Sequence, residues 1–174
     1  MAELKDAKIW GGIGAILTLV GLGFIGFILK LVGVKKISEA TGNEEIFSKY
    51  LWAAVLNILA SVILFGSFFA GILTGNFKLS LASIGLGVIV GAILMIVGVL
   101  LMKQSYDLIA KETGVGMFHT VALLYIVGAV LTIVLIGGLL LLIAAILEVI
   151  AFFSLPDSVP EKASTTSAEE EVAF

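Results

Sequence analysis

Three side chains that could take part in chemistry lie within otherwise apolar stretches of the sequence: Lys30, Asn57 and Glu148. Polar and ionisable groups inside a membrane are costly and usually functional, so each could contact an ion or a polar substrate. Each also has a structural interpretation, which we favour. The Lys30 ammonium can extend to the membrane surface, Asn57 can hydrogen-bond to a neighbouring helix, and Glu148 reaches the surface if its helix is continuous.

The residue types and spacings do not indicate an enzyme. The chain has no cysteine and a single histidine, His119, which has no second metal ligand near it in sequence. The glycines of "GLGFIG" match a dinucleotide-binding pattern only loosely, and no strand precedes them. We therefore expect no catalytic residue, no metal and no cofactor.

The composition is that of a membrane protein. Hydrophobic residues make up 60% of the 174 and charged residues 13%, against about half and a quarter in soluble proteins. Four apolar stretches, at residues 9–34, 50–73, 79–102 and 118–153, reach the roughly 20 residues that a helix needs to cross a bilayer. The prediction is an all-α, multi-pass protein of the cell membrane, with the lipid bilayer as its partner and no nucleic acid.

The two polar connectors between these stretches resemble each other. "ISEATGNEEIF" (37–47) and "LIAKETGVGMF" (108–118) hold Thr-Gly pairs 72 positions apart. This repeat predicts two tandem helix hairpins, residues 9–76 and 77–153, between an N-terminal tail (1–8) and a disordered acidic tail (154–174). Gly42 and Gly114 are expected to end helices in the left-handed conformation, and Asn43 to cap the next helix.

The last apolar stretch permits two interpretations. Its 36 residues would extend about 54 Å as one helix, well beyond the bilayer core. Either the helix tilts and ends at the interface, or it breaks at Gly137-Gly138 into a hairpin, which would leave Glu148 deeper and either protonated or paired with Lys30. The repeat favours the first, and hence a four-helix transmembrane bundle. The alternative is five or six segments.

Small residues and aromatic residues suggest how the helices pack and where they end. Trp10, Tyr50 and Trp52 lie near helix ends, as interfacial anchors do. A weak excess of lysine favours a cytoplasmic location for the connectors, residues 34–49 and 103–117. Small residues that recur at helical spacing predict close helix contacts: Gly11, Ala15, Gly26, Ser83, Gly87, Gly91 and Gly98.

Several segments together resemble a chiefly archaeal membrane family, domain of unknown function 996. They are "IWGGIGAIL", "TGNEEIF", "ETGVGMFHTVALLYIVGAVLTIVLIG" and "IAFFSLP". In place of a proline-containing break in the first helix this chain has "VGLGFIG" (20–26), which leaves the number of segments there open. The resemblance implies a polytopic membrane protein, with no activity, substrate or functional residue.

Two functions are consistent with these observations. The first is a non-enzymatic structural or interaction protein, either a homo-oligomer or a subunit of a larger membrane complex. The second is a minimal transporter or channel with its pathway at the interface of the two repeats. The two functions make different predictions for Lys30, Asn57 and Glu148. Only a transporter or channel would have these residues line a water-accessible cavity.

Overall fold

Helices account for nearly all of the backbone that the structure describes. The computed structural model describes residues 3–73, 77–131 and 137–160, with the backbone alone for residues 77–84 and 137. Within these residues the only extended pairing is an isolated bridge between Glu3 and Ser158, so the all-α prediction is confirmed there. The helices are α1 (Lys5–Leu19), α2 (Gly23–Thr41), α3 (Glu44–Leu73), α4 (Phe77–Thr113), α5 (Met117–Leu131) and α6 (Gly137–Phe153).

The first apolar stretch forms two helices, so the prediction of one continuous helix there is wrong. Gly21 has φ +93°, a conformation that glycine adopts at little cost, and the Leu22 amide donates to the Leu17 carbonyl at 2.9 Å. The chain therefore reverses. A Cβ on Gly26 would lie 2.5 Å from the Gly14 carbonyl oxygen, which shows how closely α1 and α2 approach each other.

The last apolar stretch also forms two helices, and the preference for one helix over residues 118–153 is likewise wrong. A Cβ on Gly128 of α5 would lie 2.8 Å from Leu141 of α6, so the two helices are in direct contact. Gly137 and Gly138 lie in the first turn of α6 and do not interrupt it. The residues that join α5 to α6 fall outside the described part. The described chain therefore has six helices, as in the alternative with both end stretches broken.

Both Thr-Gly corners have the predicted conformation. Gly42 and Gly114 have φ +67° and +74°, and the preceding threonines donate to the carbonyls of Ile37 and Ile109 at 2.8 and 2.6 Å. The Asn43 side chain accepts from the amide of Glu45 at 3.2 Å, as a helix cap does. The two corners are therefore alike, as the repeat predicts. The helix breaks do not follow the repeat, because the first half is broken in its first apolar stretch and the second half in its second.

The first and last described residues lie at the same end of the molecule as the two corners, which we call the connector end. The Leu4 amide donates to the Asp157 carbonyl at 2.8 Å, and Lys8 lies 3.7 Å from the Asp157 carboxylate. The beginning of the segment expected to be disordered, residues 154–160, is thus attached to the N-terminus. Residues 161–174 lie outside the described part.

Most of the predicted small-residue positions are helix contacts. Gly11 and Gly33 bring α1 against α2, and Gly11 also faces Phe152. On α4, Gly91 and Gly98 face Leu64 and Asn57 of α3, with hypothetical Cβ contacts of 2.6 and 2.7 Å. Gly87 faces Ser67 and Ala15 is buried. The side chain of Ser83 lies outside the described residues.

Two of the described helices are long and apolar enough to cross a bilayer. They cover Glu44–Leu73 and Gly85–Thr113, and little of their most apolar part is buried within the protein. Phe65 and Leu73, for example, are 67% and 84% exposed. The buried aromatic core lies at the connector end.

The corner glycines give a first prediction. Gly42→Ala and Gly114→Ala should each lower the free energy of unfolding by about 1–2 kcal/mol, because a Cβ disfavours the left-handed conformation. Gly66→Ala is the control, since Gly66 lies within α3 and a Cβ there meets nothing within 4 Å. Denaturation of the purified protein in detergent measures all three. Equal losses at the three positions would contradict the conformational explanation.

Candidate functional site: a buried ion pair joining the helices

One buried ion pair links distant parts of the chain. The Lys30 ammonium on α2 donates to both carboxylate oxygens of Glu148 on α6, at 3.3 and 3.2 Å. Lys30 is 8% exposed and Glu148 1%. The alternative in which Glu148 pairs with Lys30 is therefore correct. Neither side chain extends to the surface of the protein, contrary to the interpretation preferred for Lys30, because both end apolar stretches fold back as hairpins.

Two tyrosines complete the coordination of the Glu148 carboxylate. The Tyr125 hydroxyl on α5 donates to Oε2 at 2.8 Å, and the Tyr106 hydroxyl on α4 donates to Oε1. Each carboxylate oxygen thus accepts from a tyrosine as well as from Lys30. This saturation offsets much of the cost of placing charge in a low-dielectric interior.

Aromatic rings pack around these hydroxyl groups. The ring of Tyr50 on α3 stacks on that of Tyr106, with centroids 5.9 Å apart and planes inclined by 11°. Phe118 meets Tyr106 edge to face at 5.4 Å, and Phe152 meets Phe118 in the same manner at 5.1 Å. Since Phe152 and Glu148 are both on α6, the rings and the carboxylate fix the position of this helix together.

Helix α1 contributes space rather than a polar group. A Cβ on Gly14 would lie 2.6 Å from the backbone nitrogen of Lys30 and 2.9 Å from its Cγ. The absence of a side chain at Gly14 therefore allows Lys30 to lie along α1. With this contact, all six helices meet at the ion pair.

Asn57 does not belong to this site. Its amide donates to the Ala53 carbonyl of its own helix at 2.8 Å, and its side chain contacts Gly98. It lines an outward-facing apolar groove together with Phe27, Ile58 and Phe65. Of the three polar residues selected from the sequence, Lys30 and Glu148 therefore form a pair, and Asn57 forms a separate contact between α3 and α4.

The three tyrosines were missed from the sequence. Tyr50 was expected to be an interfacial anchor, but it is 4% exposed, whereas Trp10 and Trp52 are 43% and 59% exposed. A sequence clue was available, because a carboxyl group inside an apolar stretch needs donors. Tyrosine hydroxyls are among the donors that the neighbouring stretches offer, together with serine, threonine and asparagine side chains.

His119 lies apart from the ion pair, at the connector end. Its Nδ1 is 2.6 Å from an oxygen of Asp107, which also pairs with Lys103. The His119 side chain is half exposed. Over the described ranges, no three His, Cys, Asp or Glu residues are grouped so that they could hold a metal ion.

The two grooves described for the residues of this structure lie away from the ion pair. The groove near Asn57 encloses about 510 Å³ and a second, polar groove at Lys35, Ser38 and Glu44 about 330 Å³. Neither is lined by Lys30 or Glu148. As arranged, the pair can neutralise its own charges and join helices.

Comparison with known sequences places the chain in a family. The sequence model of a family described as "Protein of unknown function (DUF996)" matches residues 22–146. The chain belongs to this family. The uncharacterized protein MJ1644 of Methanocaldococcus jannaschii is 38% identical over 167 residues, which cover 89% of this chain and 94% of that protein.

These matches confirm the resemblance seen in the sequence, including its archaeal connection. No solved structure matches the chain. In this DUF996 protein, Lys30, Tyr50, Tyr106 and Tyr125 lie within the matched range and Glu148 lies just beyond it.

The ion pair gives a second prediction. Lys30→Met or Glu148→Gln alone should lower the free energy of unfolding by about 3–5 kcal/mol, because each leaves one buried charge without its partner. The double variant should recover most of this loss, since glutamine can still accept from the tyrosines. Denaturation of the four proteins in detergent gives the coupling free energy.

The exposed pair Lys35–Glu39 is the matched control. Its atoms are 3.8 Å apart, and its side chains are 57% and 54% exposed. The same cycle, with Lys35→Met and Glu39→Gln, should yield no more than about 0.5 kcal/mol. A coupling as small at Lys30–Glu148 would show that the buried pair does not hold the helices together.

Proposed function

We propose that this protein is an integral membrane protein with a structural or interaction role and no enzymatic activity. The carrying observation is that both oxygens of the Glu148 carboxylate are occupied, by Lys30, Tyr106 and Tyr125. A transport site must exchange its partners for water or substrate, whereas here the ligands of each charge come from the protein itself.

The exposed apolar surface supports a location in the membrane. A core helix of a soluble protein would be largely buried, yet the most apolar parts of the two long helices are only 11% and 17% buried. The surface of α3 and α4 away from the connector end presents large apolar side chains, including Phe65, Phe69 and Ile93. Lipid or an apolar neighbouring subunit would cover this surface.

The distribution of charge supports a cytoplasmic connector end. With residues 3–8 at the connector end, the lysines of the N-terminal segment lie on the same side as those of the connectors. Lysine near helix ends favours the cytoplasmic side. At the connector end are Lys5, Lys8, Lys35, Lys36, Lys49, Lys103 and Lys111, and in the sequence Lys78 alone follows α3 toward the other end.

The alternative of a minimal carrier or channel would use the ion pair as a gate or a proton site. The groove beside Asn57 does not favour it, because that groove is lined mostly by apolar side chains and faces outward. A pathway between the repeats would have to open the contacts around Lys30 and Glu148.

Reconstitution into liposomes tests the proposal. We expect vesicles that contain the protein to dissipate an imposed proton or potassium gradient no faster than empty vesicles, because the paired charges are closed to water. The Lys30→Met/Glu148→Gln double variant should behave identically. Dye fluorescence inside the vesicles measures the flux.

Ion flux through the wild-type protein would contradict the proposal, provided that it depends on the ion pair. A flux in the wild-type protein that the double variant abolishes, while a Lys35→Met/Glu39→Gln control keeps it, would overturn the structural role and establish transport. The double variant must first show wild-type abundance and elution volume, so that loss of fold is not mistaken for loss of function.

A further inference from the structure

The hairpin of α1 and α2 is too short to cross a bilayer. Trp10 is exposed on α1 near the connector end, and from there α1 runs only to Leu19, about 14 Å at 1.5 Å per residue. The returning helix rises about 17 Å from Gly23 to Val34. The hydrocarbon core is about 30 Å thick, so the hairpin reaches roughly to its middle.

The neighbouring long helix continues well past the tip of this hairpin. Phe27 of α2 lines the same groove as Asn57 of α3, so the two helices run side by side there. From Phe27, α2 extends only about 6 Å further to its end at Gly23. From Asn57, α3 continues for about 24 Å to Leu73.

The tip of the hairpin is suited to a hydrocarbon environment. Its side chains are apolar and exposed, with Val20 65%, Leu22 50% and Phe24 76% accessible. The amides of Val20, Gly21 and Leu22 donate to carbonyls in the last turn of α1, at 3.0, 3.3 and 2.9 Å. The turn thus satisfies the backbone donors of residues 20–22, as a hydrocarbon environment requires, whereas the N-terminus of α2 has no side-chain cap.

The side-chain chemistry of the tip differs from that of the connector end. Residues 9–29 contain no charged side chain, and a segment emerging into the headgroups would normally carry lysine or interfacial aromatics such as tryptophan. Trp10 and Trp52 are at the connector end. The tip therefore lacks the residues that anchor a helix end at an interface.

From these observations we infer that α1 and α2 form a re-entrant hairpin that ends within the hydrocarbon core, and that the protein acts as a wedge in the connector-side leaflet. In a cross-section parallel to the membrane surface near the connector end, α1 and α2 lie beside α3 and α4. Near Leu73, α1 and α2 have already ended. The protein thus takes more area from one leaflet, and it favours membranes curved with the connector-side leaflet convex. This inference rests on the proposed membrane location.

The depth of the tip tests the first half of the inference. Because the chain has no cysteine, Leu22→Cys and Leu73→Cys each provide a unique site for a nitroxide label. In liposomes, the label at position 22 should collide frequently with oxygen and severalfold less with a water-soluble nickel complex. The label at position 73 is the control for the far interface and should collide with the nickel complex.

Two outcomes would overturn the re-entrant hairpin. Equal nickel accessibility at positions 22 and 73 would mean that the hairpin crosses, either by thinning the bilayer or by rearranging. Normal abundance of a Leu22→Lys variant would also contradict it, because a lysine at a hydrocarbon-buried tip should strongly reduce membrane insertion. Leu73→Lys is the matched control and should be tolerated.

Curvature preference tests the second half. Fluorescently labelled protein, inserted with the connector end outward, should be enriched severalfold per lipid area in small vesicles over large ones of the same composition. Equal density in both would overturn the wedge. Neither the depth nor the curvature measurement depends on ion flux. A negative result in either would therefore not contradict the structural role, and the detection of transport would not contradict the measured depth of the tip.

Discussion

The architecture depends on one electrostatic contact, the pairing of Lys30 with Glu148 in the interior. Neither charge could remain alone in an apolar bundle, because an isolated buried ion costs far more than a single tertiary contact returns. Each therefore requires the other, and the two tyrosines require the carboxylate as an acceptor. The glycine at position 14 and the stacked rings at positions 50 and 106 arrange the surrounding helices so that these requirements are met together.

A different principle holds the pair of long helices. Away from the connector end, α3 and α4 have no polar contact comparable to the ion pair among the described residues. They approach through glycines, with Gly87, Gly91 and Gly98 facing side chains of α3. In lipid, close packing replaces the hydrophobic effect as the source of helix association. The molecule thus combines a polar junction at one end with a packed apolar helix pair at the other.

Local features of the fold could be predicted from the sequence, and long-range ones largely could not. The corners at Gly42 and Gly114 follow from neighbouring residues and were predicted correctly. The turn at Gly21 was missed because a glycine among apolar residues is equally typical of a helix-packing face. Because continuous helices were preferred in both end stretches, Lys30 and Glu148 were assigned to surfaces. The tyrosines could not be selected without knowing that Glu148 is buried.

The sequence separation of the ion pair has a consequence for biosynthesis. Lys30 and Glu148 are 118 residues apart, so a nascent chain exposes the lysine long before its partner is made. Until α6 has been inserted, every shorter chain carries an uncompensated charge inside its first hairpin. Synthesis of α6 is therefore also the step that neutralises the charge of Lys30. A chain truncated before residue 148 therefore keeps the Lys30 ammonium without its carboxylate partner.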